Sequence, residues 1–273
     1  MIGAALATVR AEIVADGRMP VSGDSGGYGG APPTRRMMLG AAAALGLPLL
    51  ASPAAAAEPE PEPEREVRRP RVYTRLDWEA VPPTAPVQVL DRAPDRVVVH
   101  HTATTNSKDL SLGHAFKLSR AIQRFHMQDR GWSDVGQQLT IGRGGQVMEG
   151  REGSLVAIAT GRHVVGAQAL GHNEHTIGIE NEGTYMWADV PASLWTSLVD
   201  TCTWLCLTYD LDPVKAIVGH RDLGNTDCPG DVLYARLPEL RAEVAMRLGL
   251  PAAPVRRPER PVRPRRDRSF RLD

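Results

Sequence analysis

Between about residue 95 and residue 249 the chain alternates apolar and polar positions in registers that change from one segment to the next. Residues 96–101, Arg-Val-Val-Val-His-His, are a β-branched run suited to a buried strand. Apolar side chains then recur at Leu112, Ala115, Phe116, Ile122 and Phe125, with Ser119 and His126 on the same stripe, and this spacing predicts a helix over 111–130. Short strands at 138–142 and 146–149 flank Arg143-Gly144-Gly145, a hairpin signal. A strand at 176–182, a helix over 191–209 with Pro191 in its first turn, a short strand at 217–220 and a helix over 233–248 complete the pattern. Strands mixed with helices, one hairpin and no internal repeat predict an α/β fold, a single domain with a mixed β-sheet flanked by helices.

The flanks lack this periodicity and divide the chain further. Thr34-Arg35-Arg36-Met37-Met38-Leu39 sets twin arginines ahead of an apolar run that ends in Ser52-Pro53-Ala54-Ala55-Ala56-Ala57, so 1–57 reads as a twin-arginine-type signal region. Gly40, Gly46, Pro48 and Pro53 interrupt the run, which falls short of the roughly 20 residues of a spanning helix. A cleaved signal is therefore favoured over a retained anchor. Export to the cell wall, the periplasm or the outside follows. Residues 58–94, opening with alternating Glu and Pro, read as an extended linker and lead-in to a domain at 95–249. Residues 250–273 read as a disordered tail rich in arginine and proline, either a contact for an anionic cell wall or a solvated segment.

Charge and cysteine content exclude two classes. Lys plus Arg and Asp plus Glu are both 32, which leaves no surplus of cations for a globally basic nucleic-acid binder. Three cysteines are too few for a disulfide framework. Cys202 and Cys206, on the apolar face of the predicted 191–209 helix, read as core thiols. Cys228 stands apart in a polar loop.

His100 or its neighbour His101, with His220 and Cys228, has the makings of a zinc site. Imidazole nitrogen and thiolate sulfur are ligand types that zinc favours, and three protein ligands leave a fourth position open. Strand parity puts His100 and His101 on opposite faces, so only one readily reaches a shared ion, and spacing alone does not choose. His126, on the apolar stripe of the first helix, reads as a hydrogen-bonded core residue, and Trp132 as a packing residue.

These residues sit in four motifs that resemble the zinc-dependent type 2 N-acetylmuramoyl-L-alanine amidases and the related peptidoglycan recognition proteins. The motifs are Val97-Val98-Val99-His100-His101-Thr102, then Gly131-Trp132-Ser133-Asp134-Val135-Gly136, then Asn173 with Thr176-Ile177-Gly178-Ile179-Glu180, and last Gly219-His220-Arg221-Asp222 with Thr226-Asp227-Cys228-Pro229-Gly230. The resemblance implies zinc bound by His100, His220 and Cys228, and hydrolysis of the amide between N-acetylmuramic acid and L-alanine in peptidoglycan by a monomer. It implies a catalytic carboxylate at Glu180, an oxyanion donor at Thr226, and substrate contacts at Gln137, Gln168 and Asn173. Glu182 is expected as a structural partner. Two positions depart from the family pattern: Gln137 stands where most members carry a catalytic Tyr, and Gln168 where many carry His. An amide side chain cannot act as a base. The alternative is a non-catalytic peptidoglycan-binding protein. A zinc peptidase of another type is disfavoured by the absence of a His-Glu-x-x-His run.

Overall fold

The computed structural model describes residues 69–251. The expected signal region, most of the Glu-Pro linker and nearly all of the arginine-rich tail lie outside the described residues. The β-branched run forms β3 (Arg96–His101), an interior strand of a six-stranded mixed sheet. Around it lie β1 (Val72–Tyr73), β4 (Leu139–Ile141), β5 (Val147–Glu149), β7 (Thr176–Asn181) and β8 (Ile217–Gly219), in the order β1-β5-β4-β7-β3-β8. Only the β4–β5 hairpin is antiparallel; β3 runs parallel to β7 and β8, and β4 parallel to β7. A separate antiparallel pair joins β2 (Val89–Leu90) to β6 (His163–Val164).

The two faces of the sheet differ in chemistry. One presents Val97, Val99, Leu139, Ile141, Ile177 and Ile179 to the longest helix, α3 (Ala192–Tyr209), and to α6 (Leu237–Arg247), through Leu194, Leu198, Leu205, Leu240 and Val244. Each such side chain taken out of water is worth about 1.5–3 kcal/mol. Cys202 and Cys206 lie in this core as free thiols, as α3's apolar face predicted. The other face carries the intervening residues, among them His100, Thr140, Glu180 and Met148. Helix α1 (Leu112–Arg124) covers its far end, where Ala115 meets Met148 and Trp78.

Three sequence expectations change. The helix predicted over 111–130 stops being α-helical at Arg124, and Phe125–Asp129 form a wider π turn closed by Arg130 N–H on the Phe125 carbonyl. Phe125 turns outward, 46% exposed. The helix predicted over 233–248 is two helices, α5 (Asp231–Ala235) and α6, broken at Arg236 because Pro238 lacks the N–H that would continue the ladder and crowds the preceding turn. The folded body also begins before Asp95. Val72 and Tyr73 pair with β5, and Trp78 is fully buried with its indole N–H 2.8 Å from the Glu149 carbonyl. Arg75 ties the same segment down, reaching the fully buried Asp134 at 3.1 Å. Two short helices with no clear periodicity, α2 (Ser154–Ala159) and α4 (Pro213–Ala216), fill connections.

Candidate metal centre and cleft

Register on the polar face sets the site. His100 lies opposite Glu180, and Glu180 opposite Thr140, so three neighbouring strands point these side chains the same way. Val99 pairs with Gly219, which brings His220, the residue after β8, beside His100 with ring centroids 4.6 Å apart. Cys228 returns from the following loop and puts Sγ 3.6 Å from His100 Nδ1. The candidate ligand atoms of His100, His220 and Cys228 all lie within 4.8 Å of one another. Tetrahedral zinc with ordinary Zn–N and Zn–S bonds separates nitrogen from sulfur by about 3.6 Å, so donor types and spacing both fit that ion. His101 faces the other way and its Nδ1 accepts the Tyr185 N–H at 3.2 Å.

The sulfur arm is held by its own loop. Arg221 N–H donates to the Cys228 carbonyl at 3.0 Å, and its guanidinium donates to the Asp227 carbonyl and pairs with Asp231 at 2.9 Å. Asp222 accepts from the Gly219 N–H at 2.8 Å and from the Tyr234 hydroxyl at 2.5 Å. Thr226 Oγ1 accepts the Cys228 N–H at 3.2 Å, which leaves its own proton free for the cleft.

Burial dominates the electrostatics. It pulls the His100 pKa down to about 3, helped by His220 and opposed by the contact with Gln168, and it lowers His220 as well. Both rings are thus neutral, the form that coordinates a metal. Burial and the nearby Glu180 push the Cys228 thiol up. A bound dication reverses that preference, because a coordinating thiol gives up its proton. Burial alone pushes the Glu180 carboxyl up to about 8. Its Oε2 is buried and has no partner among the described residues.

A cleft of about 370 Å³ opens over these groups, walled by His126, Trp132, Gln137, Gln168, Glu180 and Thr226 together with the three candidate ligands. Gln137 is 1% exposed; its amide N–H donates to Thr140 Oγ1 at 3.0 Å while its Oε1 is buried without a partner among the described residues. Gln168 Oε1 lies 2.5 Å from His100 Nε2, so this side chain engages a ligand ring as well as the cleft. Asn173 does not line the cleft. Its Oδ1 accepts the backbone N–H groups of Gln168 and Ala169 at 2.8 and 3.0 Å, which shapes the loop carrying Gln168. The residue expected as a substrate contact thus sits outside the cleft walls and acts on them through that loop. Glu182 is buried and held by His114 at 2.7 Å and by the Arg143 N–H at 2.8 Å.

Sequence reasoning missed the cleft wall formed by His126 and Trp132. Their rings stack at 4.6 Å, and His126 Nδ1 accepts the Gly136 N–H at 3.2 Å. The π turn before Trp132 produces this placement, and helical periodicity carries no signal for it.

The profile of the N-acetylmuramoyl-L-alanine amidase family matches residues 90–231, just over half of the 273-residue chain. A human N-acetylmuramoyl-L-alanine amidase is 32% identical over 166 residues, which cover 60% of this chain and 27% of that protein. Peptidoglycan-recognition protein LB of Drosophila melanogaster is 29% identical over 167 residues, 61% of this chain and 67% of that protein. The chain thus spans about a quarter of the human relative's length. The wild-type structure of Drosophila PGRP-LB superposes with a TM-score of 0.53 at 28% identity, covering 61% of this chain and 92% of that one. Peptidoglycan recognition protein-LE, solved in complex with tracheal cytotoxin, superposes at 0.54 with 26% identity, covering 62% and 92%. The four motifs, the mixed sheet and the His-His-Cys cluster at its edge thus have one common explanation: the chain belongs to the N-acetylmuramoyl-L-alanine amidase family.

Proposed function

We propose that this protein is an exported zinc-dependent amidase that hydrolyses the amide between N-acetylmuramic acid and L-alanine in peptidoglycan. The observation that carries this reading is the meeting, in one cleft, of a neutral His-His-Cys donor set with a buried carboxyl whose Oε2 has no partner among the described residues. Amidase-named relatives and a structural relative in complex with a monomeric peptidoglycan fragment support it. A zinc ion held by His100, His220 and Cys228 supplies a Lewis acid for the carbonyl and makes water nucleophilic near neutral pH.

The chain's own groups then divide the work. Beside a bound dication, which would favour its ionised form over the protonated form that burial alone prefers, Glu180 takes a proton from the attacking water and delivers it to the departing nitrogen as the C–N bond breaks, yielding a carboxylic acid and an amine. The Thr226 hydroxyl donates toward the carbonyl oxygen as negative charge develops there. Gln137, its amide N–H committed to Thr140, offers Oε1 to the N–H of the scissile amide. This orients the bond without any proton transfer by Gln137. The aromatic pair His126 and Trp132 gives the cleft one flat wall.

The test is muropeptide mass spectrometry. The wild-type protein is expected to free stem peptides from purified peptidoglycan, zinc removal to stop this, and Cys228→Ala and Glu180→Gln to reduce it by at least about a hundredfold. Undiminished release by either variant overturns the assignment. A protein that binds fragments but never cuts them is a receptor, the reading that Gln137 in place of an ionisable group would favour. Export is tested by fractionation: replacing Arg35 and Arg36 by Lys is expected to retain the protein in the cytoplasm, and unchanged secretion refutes a twin-arginine leader.

A further inference from the structure

We propose that Gln168 is a positioning residue that decides which nitrogen of His100 is free for a metal. The metal reading above is presupposed. The direction of each hydrogen bond around Gln168 follows from the one before it. The Thr176 side chain is fully buried, and its hydroxyl lies 2.8 Å from the His172 carbonyl, which can only accept. The single hydroxyl proton is therefore committed there, and toward Gln168, 2.7 Å away, Thr176 Oγ1 can only accept. The amide nitrogen of Gln168 must face Thr176, so its Oε1 is the atom 2.5 Å from His100 Nε2. A carbonyl oxygen accepts, so Nε2 carries the proton of the neutral ring. Nδ1 is then left bare, and it is the nitrogen that faces Cys228 Sγ at 3.6 Å.

The opposite amide orientation gives the opposite site. With Gln168 flipped, Thr176 must turn its proton to Gln168 and leave the His172 carbonyl. His100 then carries its proton on Nδ1, pointing at the sulfur, and cannot hold an ion there. The fold holds the Gln168 side chain in place at both ends, so the choice between the two amide orientations falls to Thr176. The backbone N–H is pinned by Asn173 Oδ1 at 2.8 Å. Opposite the side chain, Gly178 leaves the space that Gln168 fills, since a Cβ at position 178 would come within 2.7–2.8 Å of Gln168 Cγ and Cδ. Partners behind a metal-binding imidazole fix its tautomer and raise its basicity, and their loss generally weakens metal binding ten- to a hundredfold.

Two readouts test this on the full chain. In metal-free protein, nitrogen-15 NMR of the histidine rings is expected to show His100 protonated on Nε2. In Thr176→Val, which removes the hydroxyl that orients the amide, a population protonated on Nδ1 is expected to appear. With zinc alone as the probe, chelator competition is expected to show affinity falling about ten- to a hundredfold in Gln168→Leu and holding within about threefold in Gln168→Glu, which keeps an acceptor on Nε2. Thermal melts identify variants that are folded. His100 protonated on Nδ1 in the wild type, or equal zinc affinity in folded Gln168→Leu, overturns the role of Gln168. A wild-type protein that takes up no zinc overturns the metal reading instead, and the metal-free tautomer still decides the orientation set by Gln168.

Discussion

Substituting Gln137 by Leu separates its role toward substrate from any role in the fold. The side chain is buried, with one hydrogen bond made by its N–H and one acceptor left unused. Leu removes a neutral hydrogen bond worth about 1 kcal/mol and also an unsatisfied buried acceptor that costs about 1–3 kcal/mol. These oppose each other and leave a net gain of about 0–2 kcal/mol, so the melting temperature is expected to hold or to rise by at most about 8 °C. Toward substrate only one effect remains, the lost bond to the amide N–H, at about 0.5–1.5 kcal/mol. That is about a two- to twelvefold loss in kcat/KM. The decisive assay compares an amide substrate with the corresponding ester, which has no N–H, in both proteins. Intrinsic reactivity cancels in the ratio of ratios, which isolates the one contact. The amide-over-ester preference is expected to fall about two- to twelvefold in Gln137→Leu. An unchanged preference, with the protein folded, would show that Oε1 does not read the scissile N–H.

Two further outcomes concern the body that holds the cleft. Trp78→Ala deletes a fully buried indole and strands the Glu149 carbonyl; it is expected to cost about 3–5 kcal/mol and lower the melting temperature by about 6–20 °C. A drop below about 3 °C would place the segment before Asp95 outside the cooperative unit. Burial, with Arg130 adding to it, pulls the His126 pKa down to about 4. The unfolded ring, near 6.5, protonates first as pH falls, so stability is lost between about pH 6.5 and about pH 4, by at most about 3 kcal/mol from this residue. The variant His126→Gln is expected to flatten the pH dependence of melting across that window, and equal slopes for the two proteins would refute the linkage.

Much of this architecture is legible in the chain because strands and long helices are written in local period. Residues 96–101 are a continuous β-branched run and 176–181 alternate, and strand parity alone places Val98 with His100 and Gly178 with Glu180 on common faces. Parity narrowed His100 and His101 to one, but which face meets the sulfur depends on where the loop after β8 returns, a long-range fact. The split at Arg236 is legible in Pro238, although the apolar spacing continues across it. The π turn at Phe125–Asp129 has no such marker. Gln168 shows the other limit: the resemblance implied a substrate contact at this position, whereas its bond to His100 depends on a glycine and a threonine of β7, ten and eight residues away.

The candidate ligands also differ in how they are mounted. His100 sits on a central strand and His220 at the end of its neighbour, so moving either means shifting the sheet. Cys228 hangs from a loop whose shape depends on Arg221, Asp222, Asp231 and Tyr234. Under the proposed function, changes confined to that loop would remove the sulfur arm and with it hydrolysis, while the strand-mounted histidines and the walls of the cleft stay in place, so a cutting site would become a holding one.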